Sequence, residues 1–371
     1  MHKKISTAEL RKKNKNIIYR LFYESFADKT KQDISLELNL SLPTVTQNLN
    51  ELFQDNLIEY SGFIDSSGGR RARTMKIVSD AKIAIGMEIS LNHIRIVATD
   101  LYGNEIAYQR INKHFDINND INVCLENFLD EFSLDRNKLL GVGITLPAII
   151  NNKTGMIENA PVLGIKNLPI SQITGNIKYP SYVLNDANAG GYAECFFQKQ
   201  NKSIAYLFIG KGVGGAIIIN SKAYEGQNLR SAEFGHMCIK PNGNKCACGK
   251  NGCLEAYCST ARLCDDLNIT IDEFFHELSK GNAQYNKIFD EYLDNLALGI
   301  NTIRMVLDCD IVIGGSITAE IAGHLDKLNE KVQNLNPFGE KCDYIRIGSC
   351  GTKANCIGSA LHFVNTFLNN I

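Results

Sequence analysis

One short segment, residues 233–255, concentrates side chains that bind metal ions. An imidazole and the three thiols of a Cys-x-Cys-x4-Cys pattern lie within eighteen residues, and a glutamate stands at each end of the segment. In chain order these residues are Glu233, His236, Cys246, Cys248, Cys253 and Glu255. One histidine and three cysteines complete a closed tetrahedral zinc site, and the glycines between them allow tight turns around one ion. The alternative is a set of ordinary thiols, which the clustering disfavours, so we predict a zinc site.

The composition is typical of a globular protein. Its 371 residues suggest two or three domains, and 44% hydrophobic with 21% charged residues excludes a disordered chain. The net charge of −1 excludes a polycation. No apolar run approaches the ~18 residues that cross a bilayer, and the first residues lack the apolar core of a signal peptide. Twelve cysteines in such a chain predict a reducing cytoplasm, where thiols serve metal binding and packing.

The first 78 residues predict a DNA-binding head. Two amphipathic helices, near residues 30–38 and 42–53, are separated by a turn of three to four residues, which is the helix-turn-helix pattern. Apolar residues at i, i+4 and i+7 from Val45 should face the core of the head. The polar side chains that should then face outward are Thr44, Gln47, Asn48 and Glu51. Hydroxyl and amide groups of this kind can hydrogen-bond base edges in the major groove.

A basic loop follows the second helix. Residues 66–73 contain two glycines and three arginines between two short predicted strands, which is the order expected for the wing of a winged helix. The arginines, Arg70, Arg71 and Arg73, suit phosphates or a narrow minor groove. The first 80 residues carry a net charge of +3, a mild bias towards nucleic acid. The alternative is a small protein-interaction module with a solvated charged loop.

From residue 79 onward the pattern predicts an α/β body, residues 79–371, built from two similar lobes. Three strands, a helix and a further strand occupy residues 82–145, and a second strand–turn–strand set begins at residue 204. This arrangement resembles the duplicated actin-like, ribonuclease-H-like fold. We therefore expect lobes of about 79–185 and 186–371, with a ligand in the cleft between them and the tight turns of both lobes facing it.

The two turns differ in what they offer a phosphate. The second turn, residues 210–215, contains four glycines and could let a phosphate approach the backbone, although a hairpin that needs small residues explains it equally well. The first turn, between Glu88 and Asn92, contains no glycine, and the side chains of Ser90, Leu91 and Asn92 would occupy the phosphate approach. A half-present nucleotide site argues against kinase activity.

Asn185 and Asp186 follow a predicted strand at residues 182–184 and should point into the cleft. An aspartate at that position can accept a proton or a hydrogen bond from a hydroxyl group, and asparagine can both donate and accept. By itself Asn-Asp is a common start of a turn. Together with Glu233, His236 and Glu255 it forms a polar set suited to a polyhydroxylated ligand. A histidine that binds metal through one nitrogen can offer the other to such a ligand.

These motifs together resemble the ROK family of repressors, open reading frames and sugar kinases. The resemblance covers about residues 1–371 and rests on the segment 233–255, on Asn185-Asp186 with Asn188, on Asn159-Ala-Pro161 and on Gly314-Gly-Ser316. It implies structural zinc on His236 and the three cysteines. It also implies a sugar held by Asn185, Asp186, Glu233, His236 and Glu255, with Asp186 at the position of the general base in family kinases.

Two departures favour the repressor branch of the family. Family kinases carry Asp-x-Gly-Gly-Thr where this chain has Glu88-Ile-Ser-Leu-Asn92, and they usually lack an N-terminal head. We therefore expect no enzymatic activity, but a sugar-responsive repressor that binds operator DNA in the bacterial cytoplasm, at the nucleoid, as a homodimer or homotetramer. Pro147-Ala148, where kinases usually have Pro-Gly, leaves the sugar open. The alternatives are a sugar kinase with an appended head and a zinc-stabilised scaffold that binds another protein.

Overall fold

A computed structural model describes residues 6–64, 71–112, 120–198, 203–339 and 341–371. The helices are α1 (Thr7–Ser25), α2 (Lys31–Leu38), α3 (Leu42–Gln54), α4 (Asp120–Glu131), α5 (Ile170–Thr174), α6 (Asp186–Phe197), α7 (Glu255–Cys258), α8 (Thr260–Cys264), α9 (Ile271–Ser279), α10 (Ala283–Leu307), α11 (Thr318–Ala322), α12 (Leu325–Leu335) and α13 (Ala354–Asn370). Among the described residues, no helix has both the length and the apolar character needed to span a membrane.

The strands occur in groups that helices separate. They are β1 (Ile58–Ile64), β2 (Ala72–Ile77), β3 (Ile83–Ile89), β4 (His93–Thr99), β5 (Glu105–Asn112), β6 (Leu139–Leu146), β7 (Ile149–Asn151), β8 (Met156–Ala160), β9 (Ile165–Pro169), β10 (Ser181–Asn185), β11 (Ile204–Ile209), β12 (Val213–Ile219), β13 (Lys222–Ala223), β14 (Asp310–Gly315) and β15 (Ile345–Ile347). The strands predicted at 82–89, 94–100 and 105–111 correspond to β3, β4 and β5 within a residue or two.

The head consists of α1, α2 and α3 followed by the antiparallel β1–β2 hairpin. Each helix begins at a hydroxyl cap: Ser6, Thr30 and Ser41 accept hydrogen bonds from backbone N–H groups in the first turn of their helices. Such caps satisfy donors that have no partner within the helix. Asn39, in the left-handed conformation, ends α2 and makes the sharp turn into α3. The order of elements is the one predicted from the sequence.

The body contains two five-stranded sheets of the same topology. In the first, β3 pairs antiparallel with β4 and parallel with β6, and the order is β10-β6-β3-β4-β5. In the second, β11 pairs antiparallel with β12 and parallel with β14, and the order is β13-β12-β11-β14-β15. The repeated pairing is the duplication expected for the α/β, actin-like body. A small sheet, β7-β8-β9, stands beside the first one.

The predicted second lobe, residues 186–371, needs a correction at its far end. Helix α13 packs on the first sheet rather than the second, and α6 packs between α13 and the second sheet. Helix α13 lies so close to β3 and β6 that only glycine fits at two strand positions. A Cβ added at Gly86 of β3 would lie 1.8 Å from the carbonyl oxygen of Cys356, and one at Gly143 of β6 would lie 2.2 Å from the carbonyl oxygen of Ser359. Sequence order alone therefore assigned α13 to the wrong sheet.

The head and the body share one apolar core. The inner face of α1, the β1–β2 hairpin and the buried face of α13 belong to a single cluster of buried side chains. The ring of Tyr19 packs edge-on against Phe367, with 6.3 Å between centroids. Asn16 Nδ2 donates to the carbonyl of Leu368 at 2.6 Å, and the buried hydroxyl of Tyr23 donates to the carbonyl of Leu101 at 2.7 Å. Helix α13 and the turn at Leu101 thus both contact the head.

Candidate functional site

A cleft of about 1810 Å³ lies between the two sheets of the body. All five residues predicted to hold a sugar line this cleft, although they come from segments far apart in the chain: Asn185, Asp186, Glu233, His236 and Glu255. The pair Asn185-Asp186 comes from the junction of β10 and α6, and the other three come from the segment 233–255. The structure therefore brings the predicted polar set together around one space.

Asn185 and Asp186 are held by the start of α6. Asn185 caps the helix: its Oδ1 accepts from the N–H of Asn188 at 2.9 Å, and its Nδ2 donates to the carbonyl of Ala148 at 3.1 Å. The oxygen and the nitrogen of the Asn185 side chain are therefore both hydrogen-bonded within the protein, and this fixes the backbone that carries Asp186. Asp186 Oδ1 accepts from the N–H of Ala187 at 2.8 Å. Asp186 also lines the cleft.

The environment of Asp186 favours its neutral form. Burial, followed by the nearby charge of Glu88, raises the pKa of Asp186 to about 7, against an ordinary value of 3.8. Backbone N–H groups act in the opposite direction but do not cancel this rise in pKa. A carboxyl group that titrates near neutrality can accept or donate a hydrogen bond to a ligand hydroxyl, according to its protonation state.

The four predicted metal ligands form one compact cluster. Their ligand atoms all lie within 4.8 Å of one another. Cys248 Sγ lies 3.7 Å from Cys253 Sγ, and Cys246 Sγ lies 3.9 Å from His236 Nδ1. Two thiolates on one tetrahedral ion, with metal–sulfur bonds of about 2.3 Å, would be about 3.8 Å apart. The donor set and its spacing therefore fit a tetrahedral metal ion.

The backbone around this cluster is a pair of tight turns. Gly249 and Gly252 adopt positive φ of 86° and 82°, which favours glycine. A Cβ at Gly252 would lie 2.0 Å from the carbonyl oxygen of Lys240, so the close approach of the two arms of the loop also requires glycine there. The N–H of Cys246 donates to the carbonyl of Lys250 at 2.8 Å, which closes the turn that carries Cys248.

Glu255 joins the metal-binding loop to the glycine turn at residues 210–215. Its Oε2 accepts from the N–H of Val213 at 2.9 Å. An added Cβ at Gly212 would lie 2.8 Å from this same oxygen, so the side chain of Glu255 would have to shift. At Gly215 an added Cβ would lie 2.8 Å from the backbone carbonyl oxygen of Ala232, so close packing favours glycine there. Sequence reasoning placed both partners in the cleft but did not foresee that they touch.

The first turn is occupied by a charged network that sequence reasoning missed. Glu88 on β3 forms a largely buried ion pair with Arg95 on β4, with 2.7 Å between Oε2 and Nη1. The other oxygen of Glu88 accepts from Asn355 Nδ2 at 3.0 Å. Ser90, Leu91 and Asn92 line the cleft beside this network. Because Glu88 and Arg95 are direct partners in the hairpin register, the spacing on either side of the turn was a usable signal.

The outward face of α3 differs from the predicted one at a single position. Gln47 is exposed and Thr44 is half-buried, with its hydroxyl 2.8 Å from that of Ser41. Asn48, however, is only 1% exposed, and its Nδ2 donates to the carbonyl of Thr44 at 2.8 Å. The prediction that Asn48 faces outward is therefore wrong: three residues after Val45, it lies on the same buried face.

The β1–β2 hairpin carries two of the three predicted arginines of the wing. Arg70 lies outside the described residues. Arg71 and Arg73 are exposed, and the guanidinium carbon of Arg73 lies 3.3 Å from the centroid of the Tyr60 ring. Stacking on an aromatic ring restricts the arginine side chain while its charge stays accessible to solvent.

Comparison with known proteins identifies the family. The sequence profile of the ROK family matches residues 84–365, more than half of the chain. The chain belongs to the ROK family. Among ROK relatives, it is 29% identical over 330 residues to a xylose repressor of Caldicellulosiruptor bescii, covering 81% of this chain and 82% of that protein. It is 33% identical to a xylose repressor of Bacillus spizizenii, over 62% of this chain and 61% of that protein.

Other ROK proteins extend the comparison. The N-acetylglucosamine repressor of Escherichia coli is 24% identical over 67% of this chain and 63% of its own length. A ROK transcriptional regulator, described as a homologue of the Escherichia coli Mlc protein, superimposes with a TM-score of 0.78 at 20% identity and covers 97% of both chains. A ROK glucokinase of Streptomyces griseus, solved with glucose and AMPPNP, superimposes with a TM-score of 0.62 at 20% identity and covers 76% of this chain and 98% of that chain.

Proposed function

We propose that this protein is a sugar-responsive bacterial transcriptional repressor. In this proposal a winged helix-turn-helix head, residues 1–78, binds operator DNA, and a sugar in the cleft of the body, residues 79–371, changes the affinity of the head for that DNA. The observation that carries the proposal is that helix α13 both lines the cleft that contains the predicted polar set and packs against the helical head.

The comparisons support this function over the kinase alternative. Among the relatives are proteins named xylose repressor and N-acetylglucosamine repressor. The likeness in fold to a ROK regulator extends over the head as well as the body, whereas a ROK glucokinase leaves about a quarter of this chain unmatched. Sugar hydroxyl groups would contact Asp186, Glu233, His236 and Glu255, with Asn185 fixing the start of α6.

The network at the first turn supports a protein without kinase activity. A phosphoryl-transfer site needs an open carboxylate for a metal ion and a backbone that lets phosphate approach. In this chain Glu88 is engaged by Arg95 and Asn355, and the side chains of the turn line the cleft where glycines would be needed. Asp186 would then accept a hydrogen bond from the sugar rather than remove a proton during transfer.

We also propose that the metal is structural zinc. Four protein ligands leave no open position for a water molecule or substrate, which is the arrangement of a structural site. His236 faces the cysteines through Nδ1, so its Nε2 is the nitrogen that would meet a ligand in the cleft. Zinc would thereby hold His236, Glu233 and Glu255 in positions from which they can hydrogen-bond a sugar.

Helix α13 provides the physical connection between sugar and DNA. At the start of α13, Asn355 contacts Glu88. Further along the same helix, His362 and Asn365 line the cleft. Its last turn contacts Asn16 of α1. A sugar that binds one arrangement of the lobes more tightly than another would shift the position of α13, and with it the head. In a cytoplasmic homodimer or homotetramer, two heads would face the two halves of a palindromic operator at the nucleoid.

Three measurements on the full chain test the proposal. A thermal-shift screen with xylose, glucose, N-acetylglucosamine, mannose, fructose and their phosphates should identify a sugar that raises the melting temperature. That sugar should change the affinity of the protein for DNA from its own promoter region. A coupled ATP assay with the same sugars should show no turnover near the ~1–100 s⁻¹ of kinases. Turnover at that rate would replace the repressor proposal by the kinase one. Absence of any sugar or DNA binding would favour a protein-binding scaffold.

A further inference from the structure

A further cysteine, Cys238, lies beside the metal-binding cluster but is not a member of it. It stands two residues after His236, at the start of the loop that carries the three thiols of the cluster. All twelve cysteines of the chain lie within the described residues, and two of them are exposed, Cys238 and Cys248. In a loaded site the sulfur of Cys248 is a ligand of the ion. Cys238 is therefore the exposed thiol that metal binding leaves unprotected.

Cys238 faces one of the ligands, Cys253, across a short antiparallel bridge. The two backbone hydrogen bonds that hold this bridge are both 2.8 Å long and run from Ile239 N–H to the carbonyl of Gly252 and from Leu254 N–H to the carbonyl of Met237. This pattern makes the cysteines a non-hydrogen-bonded pair, whose Cα atoms are about 4.5 Å apart and whose side chains share one face. A disulfide spans Cα separations of about 4.4–6.8 Å, so the backbone already suits one.

The sulfur of Cys238 lies over the arm of the loop that carries its partner. Cys238 Sγ is 3.9 Å from the carbonyl oxygen of Asn251. A Cβ added at Gly252 would lie 3.1 Å from the same sulfur. The thiol of Cys238 is thus close to both residues that precede Cys253. Rotation about side-chain bonds, without a change of register, is what a bond between the two sulfurs requires.

The two thiols differ in exposure, which sets the order in which they react. Cys238 is exposed, whereas Cys253 is 2% exposed. Oxidation of a thiol by a peroxide depends on access to its sulfur. Cys238 is therefore the sulfur that meets the oxidant, and Cys253, held as a thiolate by the ion, is placed to resolve the product. In the reducing compartment that the composition predicts, disulfides of this kind are transient and serve redox sensing.

We propose that Cys238 and Cys253 form a peroxide-responsive pair, whose disulfide releases the metal ion. In the first step the sulfur of Cys238 attacks hydrogen peroxide: an S–O bond forms, the O–O bond breaks and water leaves, which gives a sulfenic acid. In the second step the thiolate of Cys253 leaves the ion and attacks that sulfur. The S–S bond forms, the S–O bond breaks, and the departing hydroxide takes a proton from solvent. The peroxide gains the two electrons that the sulfurs lose.

Loss of Cys253 would leave the ion with an incomplete set of ligands, His236, Cys246 and Cys248. Because the closed set of four is what holds a structural zinc ion, we expect the ion to dissociate. Glu255, two residues after Cys253, would then lose the ordered loop that carries it. The inference goes beyond the repressor function. It rests on the proposed metal site and needs neither a sugar nor an operator.

The test uses the full chain, purified with its metal, and begins with the zinc content per chain. Hydrogen peroxide is added in small molar excess without reductant. A colorimetric chelator follows the release of zinc, and mass spectrometry of alkylated peptides maps the disulfides. We expect the protein to release most of its zinc as a disulfide between Cys238 and Cys253 forms. Dithiothreitol followed by zinc should restore both the thiols and the metal content.

Two variants separate Cys238 from the other thiols. Cys238→Ser keeps all four ligands, so it should carry as much zinc as the parent. Peroxide should release that zinc about tenfold more slowly, because the exposed thiol is gone. Cys309→Ser is the matched control, since Cys309 is a partly exposed thiol outside the cluster. It should lose zinc at the rate of the parent.

Three results would overturn the inference. Equal rates of zinc release from the parent and from Cys238→Ser would mean that peroxide attacks the ligands directly. A disulfide between Cys248 and Cys253, in place of the one to Cys238, would mean the same. Retention of zinc by the parent in excess peroxide would exclude the switch altogether. Protein purified without zinc would refute the metal site together with the inference. The repressor proposal fails or stands separately, on sugar and operator binding.

Discussion

The carboxylate of Glu255 accepts a hydrogen bond from the backbone N–H of Val213 at 2.9 Å. This contact joins the loop that carries the metal-binding cysteines to the glycine turn of the second sheet. Cys246 Sγ lies 3.5 Å from the other oxygen of Glu255, so one side chain bridges the cluster and the turn. Disorder in the metal-binding loop should therefore spread into the wall of the cleft.

Cys248→Ser tests the metal site. Loss of one thiolate should remove zinc from the purified protein and lower its melting temperature, because metal binding contributes directly to the folding of the loop. The matched control is Cys238→Ser: Cys238 is exposed and lies close to the loop, but it is not a member of the cluster. Mass spectrometry should find close to one metal ion per chain in Cys238→Ser and far less than one in Cys248→Ser. Equal metal content in the two variants would refute the ligand set.

Asp186→Asn tests the raised pKa of Asp186. The folded protein holds this proton up to about pH 7, whereas an unfolded aspartate releases it near 3.8. The contribution of this bound proton to the free energy of unfolding is therefore fully present below about pH 4 and is lost as the pH rises towards 7. The asparagine cannot ionise, so its stability relative to the parent should increase by about 2.6 kcal/mol between pH 5 and pH 8. Urea unfolding at both pH values measures the change.

The exposed carboxylate of Asp326 provides the control for that experiment. Asp326→Asn should show the same difference from the parent at pH 5 and pH 8. A gain for Asp186→Asn that is independent of pH would mean that Asp186 is charged in the folded protein throughout this range.

Gln47→Ala and Asn48→Ala should have different effects although the residues are adjacent. Gln47 is exposed on α3, so its loss should relax base preference at one operator position by about 1–3 kcal/mol and leave the stability of the head unchanged. Asn48 is buried, so its loss should lower the melting temperature without changing base preference. Binding to a library of operator variants, together with thermal denaturation, separates the two effects. Identical behaviour would contradict this assignment of the faces of α3.

Arg73→Ala tests contact between the wing and DNA. The variant should bind all DNA sequences less tightly and reduce the slope of log affinity against log salt by about one. Arg73→Lys is the control, because it keeps the charge but loses stacking on Tyr60, and it should keep the slope. Arg71→Ala should resemble Arg73→Ala. A change in sequence preference with an unaltered salt slope would indicate base contact rather than phosphate contact.

Glu194→Gln tests a fully buried carboxylate that connects α6 to the segment before α13. Its two oxygens accept from the N–H groups of Ser349 at 2.7 Å and Cys350 at 2.9 Å. The glutamine would turn an NH₂ group towards one of these donors, so the free energy of unfolding should fall by about 2–3 kcal/mol. Glu330→Gln, on the exposed face of α12, should change it by less than about 0.5 kcal/mol. Urea unfolding of the two variants gives the comparison.

The sequence predicted features whose parts are close together in the chain. His236 and the three cysteines lie within a few turns of chain, so spacing and residue type were sufficient to predict that they cluster. The buried position of Asn48 was misjudged because a polar residue three places from Val45 can belong to either face, and polarity was taken as the guide. The contact between Glu88 and Asn355 joins residues 267 positions apart, and no local pattern reports it. The placement of α13 on the first sheet was missed for the same reason.

Asn16 and Leu368, which meet where α1 packs on α13, are separated by 352 residues of chain. At about 5–20 residues per second, a ribosome needs roughly 20–70 s to travel from one to the other. During that time the head is already outside the ribosome, and the ring of Tyr19 faces water or a chaperone instead of Phe367. A nascent chain therefore contains all three helices of the head long before the helix that covers Tyr19 has been synthesised.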